Sequence, residues 1–209
     1  MKCLISEWKK LCEKYTSNLQ LIAQCFQEIT QRYSEKHRVY HDLSHISALL
    51  ELASAWEYHF TDIDAVRWAI WYHDVVYSPT DANNEEKSVQ FARQHLPKLN
   101  VVPEKLDKIC TWILATKDHT LPSDVADTDG FLFLDIDLSI LGASSEVYQS
   151  YSKAIRQEYS IYPDFLYKVG RKKVLKNFLQ KKRIYHTDLA FNRWETPARA
   201  NIESELENL

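Results

Sequence analysis

Apolar residues recur every three or four positions along most of the chain, which is the spacing of one face of an α-helix. Residues that commonly begin helices stand before several of these stretches, namely Asn18, Asp42 and either Asp62 or Asp64. The pattern predicts helices that span about residues 4–16, 84–96, 145–160 and 163–182, and one from 62 or 64 to His73-Asp74. It predicts further helices that begin at about residues 18, 42 and 103, and a last helix that begins at Thr196-Pro197.

Three segments depart from this helical pattern. Ser78–Asn84 is rich in turn residues and predicts a loop, and residues 117–129 read as a polar connection. Residues 131–141 are mostly apolar but short, so the pattern leaves both a strand and a buried helix open. With only three glycines and six prolines, the chain is poor in turn-forming residues, which favours helices over a β fold. We therefore predict one all-α domain over residues 1–209.

The composition narrows the classes of function. Three glycines cannot supply the clustered glycines of a P-loop or of a dinucleotide-binding loop. The balance of 26 basic and 29 acidic residues argues against bulk binding to nucleic acid or membranes. Without a long apolar run or a signal-peptide core, we expect a soluble cytoplasmic protein. The six tryptophans and twelve tyrosines are expected mainly in the core, with a homo-oligomer interface as their alternative use.

Histidines and aspartates interrupt three of the apolar segments. His73-Asp74 ends one of them, His45 lies within another after His41, and Asp135 and Asp137 lie in a third. Buried imidazole and carboxylate groups are costly unless they are paired or bind a metal. The sequence therefore predicts a divalent metal site. Two imidazoles and two carboxylates suit manganese, iron, cobalt, nickel or zinc, and magnesium is a further candidate.

These residues stand in a recognisable order, H…HD…D. Four phrases carry it: Tyr40-His-Asp-Leu-Ser-His45-Ile, Ala69-Ile-Trp-Tyr-His-Asp-Val-Val-Tyr77, Asn84-Glu-Glu-Lys-Ser88 and Leu134-Asp-Ile-Asp-Leu-Ser-Ile-Leu-Gly142. The chain resembles the HD-domain superfamily of metal-dependent phosphohydrolases, and within it the bacterial proteins described as predicted metal-dependent HD superfamily phosphohydrolases. The core of the resemblance covers about residues 32–142, between flanking helices at 1–31 and 143–209. The tail also resembles this branch, at Ile155–Tyr159, Gly170–Leu175 and Pro197–Asn201.

The resemblance implies an all-α fold of the HD-domain type and four metal ligands: His45, His73, Asp74 and Asp137. His45 matches the motif better than His41 because Ile-x-x-Leu follows it. Asp137 is followed directly by leucine, and Asp135 is its competitor; if Asp137 is the ligand, Asp135 is expected to orient a ligand or cap a helix end.

Further site residues are predicted around this set. Besides Asp74, the predicted catalytic residues are Glu85, as a general acid or base, and His119, in a region where some HD enzymes place extra histidines. The predicted substrate-binding residues are Lys117, Arg156 and Arg171. For each of these side chains, a solvated surface position is the alternative. The same holds for the basic run at 168–183, which has eight lysines or arginines and no acid.

The predicted function is hydrolysis of a small phosphate ester or nucleotide by metal-activated water. The resemblance extends to nucleotidases, cyclic-nucleotide phosphodiesterases and ppGpp hydrolases, and the sequence does not choose among them. One alternative is a non-catalytic, metal-containing module that binds a nucleotide or another partner. A second alternative is a structural hydrogen-bond network without metal.

Overall fold

The computed structural model describes residues 2–122 and 127–209, apart from the side chains of residues 2 and 3. In these ranges the chain is all helical, with α-helices, short 3₁₀ helices and no strand. This confirms the predicted all-α class. The chain divides into two compact units, Met1–Phe133 and Leu134–Leu209. This division does not test the prediction of one domain over residues 1–209 with a core at 32–142, which stays a prediction.

The first unit contains six complete helices and the start of a seventh among its described residues. They are α1 (Lys2–Cys12), α2 (Leu19–Tyr33), α3 (Leu43–Ala55), α4 (Ile63–Tyr72), α5 (Asn84–His95), α6 (Pro103–Ala115) and the first part of α7 (Thr128–Asp137). Short 3₁₀ helices occupy Glu57–His59 and Leu96–Leu99.

Helix α4 lies at the centre of the first unit, where it packs against α3, α5 and α6. Its residues from Trp68 to Tyr72 are fully buried, and Trp8 of α1 meets Trp68 and Trp71 edge to face, with ring centroids 5.4 and 5.3 Å apart. Such edge-to-face contacts add to the gain from burying the aromatic area. The end of α4 is therefore fixed by a rigid core, and His73 and Asp74 follow directly after that end.

The second unit contains α8 (Ser145–Glu158), α9 (Asp164–Gln180) and α10 (Asp188–Asn208), together with a 3₁₀ helix at Leu138–Gly142 and the end of α7. Helix α10 packs on the Leu138–Gly142 turn, where Asn201 donates hydrogen bonds to the carbonyls of Leu141 and Ala143, both at 2.9 Å. Tyr185 donates to the carbonyl of Leu138 at 3.0 Å. These buried polar contacts fix the turn against α10.

Most of the predicted helix starts are confirmed. The side chain of Asn18 accepts from the Leu21 amide, that of Asp42 from the Ser44 and His45 amides, and that of Asp62 from the Ala65 amide. Asp62 rather than Asp64 therefore begins α4, and Ser78–Asn83 is a loop as predicted. The segment at 131–141, left open by its pattern, continues α7 to Asp137 and then forms the 3₁₀ helix.

One predicted helix start is wrong. Pro197 lies inside α10, which begins at Asp188 with Thr187 as the capping residue. An interior proline costs about 3 kcal/mol because it removes a hydrogen bond and crowds the preceding turn. Burial of Trp194, Ala198 and Ile202 on both sides of the proline holds the helix together, so tertiary packing overrides the local signal.

Residues 123–126 of the predicted polar connection lie outside the described residues. No helix in the described part of the chain combines the length and the hydrophobicity needed to cross a lipid bilayer. The predicted cytoplasmic location stays a prediction.

Candidate metal centre

His45 is placed by the cap of α3. The Asp42 carboxylate accepts from the amides of Ser44 and His45 at 2.7 and 3.4 Å, which fixes the first turn of the helix. The same helix face buries Ile46 and Leu49, and the His45 ring is itself buried. The fixed backbone of this turn and the buried surroundings of the ring therefore position the imidazole.

His73 and Asp74 follow the last residue of α4, Tyr72. His73 keeps helical backbone angles and its amide still donates to the carbonyl of Ala69, whereas Asp74 stands beyond the helix in a turn. Adjacent positions inside a helix would point about 100° apart. Because the helix ends here, both side chains reach the same point.

The tautomer of His73 follows from its partners. Its Nδ1 lies 2.9 Å from the carbonyl of Ile70, and a carbonyl can only accept a hydrogen bond, so Nδ1 carries the proton. In the neutral ring, Nε2 then presents a lone pair. This is the arrangement found in metal-binding histidines, whose second ring nitrogen donates to a backbone carbonyl.

Three ligand atoms converge here. Nε2 of His45 lies 3.3 Å from Nε2 of His73, and Oδ2 of Asp74 lies 3.1 Å from the His73 nitrogen and 4.0 Å from that of His45. The point equidistant from these atoms is about 2 Å from each, which matches the 2.0–2.2 Å bonds of metals to histidine and carboxylate. The His45, His73 and Asp74 cluster could therefore hold a metal ion.

The two histidines are almost completely buried, while the Asp74 side chain keeps about a fifth of its area exposed. The cluster is thus open to solvent on the aspartate side. Two neutral imidazoles and one carboxylate carry a single negative charge, so a divalent cation would be partly neutralised by the protein and would keep coordination positions for oxygen ligands.

His41 takes a different position from His45. Its ring lies against that of Tyr77, with centroids 4.3 Å apart. Among the described residues, the ligand atoms within 4.8 Å of one another belong to His45, His73 and Asp74. Of the two histidines left open by the sequence, His45 is therefore the member of the cluster.

The aspartates of the third segment lie in the second unit. Asp135 is fully buried, and its carboxylate accepts from the amides of His186 and Thr187 at 2.7 and 2.8 Å and from the Thr187 hydroxyl at 2.6 Å. It holds the residues that lead into α10, and its expected role, which depends on Asp137 being the ligand, stays a prediction. Asp137 is half-buried at the end of α7, and its role as a fourth ligand stays a prediction.

The loop after Asp74 is tied to α5. Asn84 accepts from the Ser78 amide and donates to the carbonyls of Ser78 and Asp81, at 2.9, 2.9 and 3.1 Å. Ser88, one turn further along the helix, bonds both the amide and the carbonyl of Val76. These contacts explain why the Asn84–Ser88 phrase accompanies the histidine–aspartate pair: it closes the loop beside the cluster.

Glu85 stands on the first turn of α5, 3.8 Å from the ammonium of Lys117. Burial raises its pKa above the ordinary value, and the carboxylates of Glu86 and Asp74 add to this while Lys117 opposes it. Glu86 differs: it bonds Lys117 at 2.6 Å, and that hydrogen bond lowers its pKa.

Lys117 also donates to the carbonyl of Ala82 at 2.9 Å, so its ammonium is held at the start of α5. His119 is half-buried just past α6 and has a positive φ of 51°. Such a backbone is uncommon outside glycine, and it redirects the chain after the helix. The predicted roles of Lys117 and His119 stay predictions.

The two arginines predicted to bind substrate lie in the second unit and are engaged there. Arg171 forms a two-pronged ion pair with Glu205, at 2.8 and 3.0 Å. Arg156 bonds Asp164 at 2.6 Å together with two backbone carbonyls. These contacts favour a structural role for both side chains, and their assignment to substrate stays a prediction. The basic run also carries lysines that are exposed, as expected for a solvated face, at Lys168, Lys173 and Lys176.

One residue near the cluster was missed by the sequence analysis. Arg38 is buried and donates to the backbone carbonyls of His41, Asp74 and Val75 at 3.0, 2.7 and 3.2 Å. This arginine stands in a polar segment between two helices, where an arginine is ordinary. The one local signal is that it lies three residues before His41 in the sequence.

Comparison with models of protein families, with curated proteins and with solved structures finds no match to this chain. The geometry of the cluster and the chemistry of its side chains therefore carry the functional argument.

Proposed function

We propose that this protein is a metal-dependent phosphohydrolase of the HD-domain type, acting on a small phosphate ester or nucleotide. The observation that carries the proposal is the convergence of His45 Nε2, His73 Nε2 and Asp74 Oδ2 around a point about 2 Å from each. Two buried imidazoles and a partly exposed carboxylate suit a divalent cation with coordination positions left for oxygen ligands.

The charge of these three side chains also suits a divalent cation. Two imidazole nitrogens 3.3 Å apart and a carboxylate oxygen 3.1 Å from one of them place three donor atoms around one point, with the single negative charge of Asp74 among them. A divalent ion at that point would be coordinated by all three atoms. When bound, it would lower the pKa of a coordinated water and polarise a phosphoryl oxygen, which is the chemistry of metal-assisted phosphate ester hydrolysis.

The protein side chains supply the remaining parts of the proposed mechanism. His45 and His73 hold the cation in neutral form, and the Ile70 carbonyl keeps the His73 tautomer fixed. Glu85, on the first turn of α5 and 3.8 Å from Lys117, is the proposed general base. Lys117, near Glu85, offers a positive charge to the phosphate oxygens. That Asp137 is a fourth ligand stays a prediction of the resemblance.

The test is a metal and substrate screen on the purified protein. Metal content is measured by mass spectrometry, and turnover of an aryl phosphate and of a nucleotide panel is measured with Mn²⁺, Fe²⁺, Co²⁺, Ni²⁺, Zn²⁺ and Mg²⁺. The expected result is metal-dependent release of phosphate or of a nucleoside product, lost in His73→Ala together with the bound metal.

His95→Ala is the matched control. His95 is also a buried histidine of the first unit, but it pairs with Glu28 at 2.9 Å rather than with the cluster. We expect this variant to keep its metal and its turnover. A wild-type protein that binds metal but turns over no substrate in the panel would contradict the hydrolase and favour a binding module. A protein that binds none of these metals would contradict the metal centre itself.

A further inference from the structure

Arg38 lies in the segment between α2 and α3, and its side chain is fully buried. Its guanidinium carbon lies over the rings of Tyr33 and Tyr77, 5.0 and 5.5 Å from their centroids. Removing a guanidinium from water is costly unless its donors are satisfied. The hydrogen-bond partners of the Arg38 guanidinium therefore indicate its role in the fold.

Those partners belong to the backbone on both sides of the cluster. Nη1 donates to the carbonyl of His41, which directly precedes the cap of α3, and to the carbonyl of Asp74. Nη2 donates to the carbonyl of Val75, and Nε lies 3.3 Å from a Glu35 oxygen. One planar group thus joins the entry of the helix that carries His45 to the residues that follow α4.

We infer that Arg38 is a positioning residue for the metal centre. By holding three carbonyls together it sets the distance between the start of α3 and the turn that carries Asp74, and so the separation of the ligand atoms on each. The inference rests on the proposed metal site, since the spacing matters only if an ion occupies it. Arg38 is neither a ligand nor in contact with reacting atoms.

The geometry explains why an arginine stands here. A guanidinium has five N–H donors in a fixed plane and can bond several carbonyls at once, whereas an ammonium is a compact point charge on a flexible stem. The charge itself works against a nearby divalent cation. If Arg38 acted through charge, its removal would tighten metal binding; if it acts through geometry, its removal weakens binding.

The test is the affinity for Mn²⁺ alone, measured by calorimetry or by the electron paramagnetic resonance signal of free Mn²⁺, on protein that circular dichroism shows to be folded. Arg38→Met is expected to weaken Mn²⁺ binding by about 10- to 100-fold, the range typical of partners that orient metal ligands. Arg38→Lys keeps the charge but lacks the fork, and an intermediate loss is expected.

Arg199→Met is the matched control. Arg199 also bonds one glutamate, Glu195, and three backbone carbonyls, but all of these lie in the second unit, and the carbonyls are those of Leu179, Lys181 and Lys182. We expect the control to lose stability while its affinity for Mn²⁺ stays within about threefold of wild type, since it contacts no residue of the cluster.

Equal or tighter Mn²⁺ binding in Arg38→Met, with a wild type that binds Mn²⁺, overturns the inference and leaves the proposed function standing. If Arg38→Met does not fold, Arg38→Lys decides, and wild-type affinity in that variant overturns the inference. Failure of the wild-type protein to bind Mn²⁺ or any of the other metals overturns the proposed function and this inference with it.

Discussion

The Nε2 atoms of His45 and His73 face each other at 3.3 Å, although the two residues stand 28 positions apart in the chain. The His73 proton is on Nδ1, where it bonds the Ile70 carbonyl. Two imidazole nitrogens at this separation attract each other only through a shared proton or a cation. With the Asp74 oxygen 3.1 Å from His73, the three atoms form a cluster that could hold a metal ion.

Replacing His45 by alanine is expected to weaken Mn²⁺ binding by at least about 100-fold, because the ion loses one of its protein ligands. His95→Ala is the control, since this buried histidine pairs with Glu28 at 2.9 Å rather than with the cluster, and a change of less than about threefold is expected. Calorimetric titration with Mn²⁺ measures both. Equal losses in the two variants would mean that the cluster is not the binding site.

Glu85→Gln is expected to lower kcat by about 10²-fold while metal content stays unchanged, because an amide cannot accept the proton of the attacking water. The measurement is steady-state turnover with Mn²⁺, alongside metal content by mass spectrometry.

Glu86→Gln is the natural control for Glu85, one residue away on the same turn. Its pKa is lowered by the hydrogen bond from Lys117, so it is ionised across the working range and is poorly suited to exchange protons. A loss of turnover in Glu86→Gln as large as that in Glu85→Gln would show that the two carboxylates act merely by holding Lys117.

The pair of Arg171 and Glu205 is expected to matter for stability at neutral pH. Burial favours a higher pKa for Glu205, but the hydrogen bonds and charge of Arg171, with a hydrogen bond from Tyr148, outweigh it and leave the pKa below its ordinary value. Glu205→Gln leaves the arginine buried without its counter-charge and should cost about 3 kcal/mol in the free energy of unfolding at pH 7.

The pH dependence of this effect has a definite sign. Because the folded-state pKa of Glu205 is depressed, its contribution is complete above the unfolded-state pKa of about 4.3 and is lost as the pH falls through the folded-state value. Urea unfolding of wild type and Glu205→Gln should therefore converge in acid. In the double variant Arg171→Met/Glu205→Leu, most of the stability should return at pH 7, since apolar replacement of a buried pair is often neutral. A difference that stays constant with pH would contradict the ion-pair explanation.

Two glycines of the second unit are expected to respond in opposite directions to alanine. At Gly142 an added Cβ would lie 2.5 Å from Cβ and 2.9 Å from Cα of Trp194, so backbone has to move and a loss of about 2 kcal/mol is expected. At Gly170, inside α9, an added Cβ meets nothing within 4 Å, and alanine should stabilise the helix by about 0.8–1 kcal/mol.

Thermal unfolding of the two single variants measures this contrast, with each serving as the control of the other. Stabilisation by Gly142→Ala, or a clear loss in Gly170→Ala, would contradict the packing described for these positions.

The helices and their starts could be predicted because their causes are local. Asn18, Asp42 and Asp62 bond amides two or three residues away in their own helices, so residue type and neighbouring pattern are sufficient. The residue types of the metal centre were predictable for a related reason: imidazoles and carboxylates in apolar segments need a partner wherever the segments go.

The sequence by itself determined the all-α class, the helix caps and the set of histidines and aspartates from which a metal site could be built. Tertiary structure alone decided that His45, His73 and Asp74 bring their ligand atoms to one point, that α10 runs through Pro197, and that Arg38 bonds carbonyls up to 37 positions away. The reason is physical: hydrogen bonds and burial between distant segments can exceed the local preferences of the chain, and no local pattern records which segments will meet.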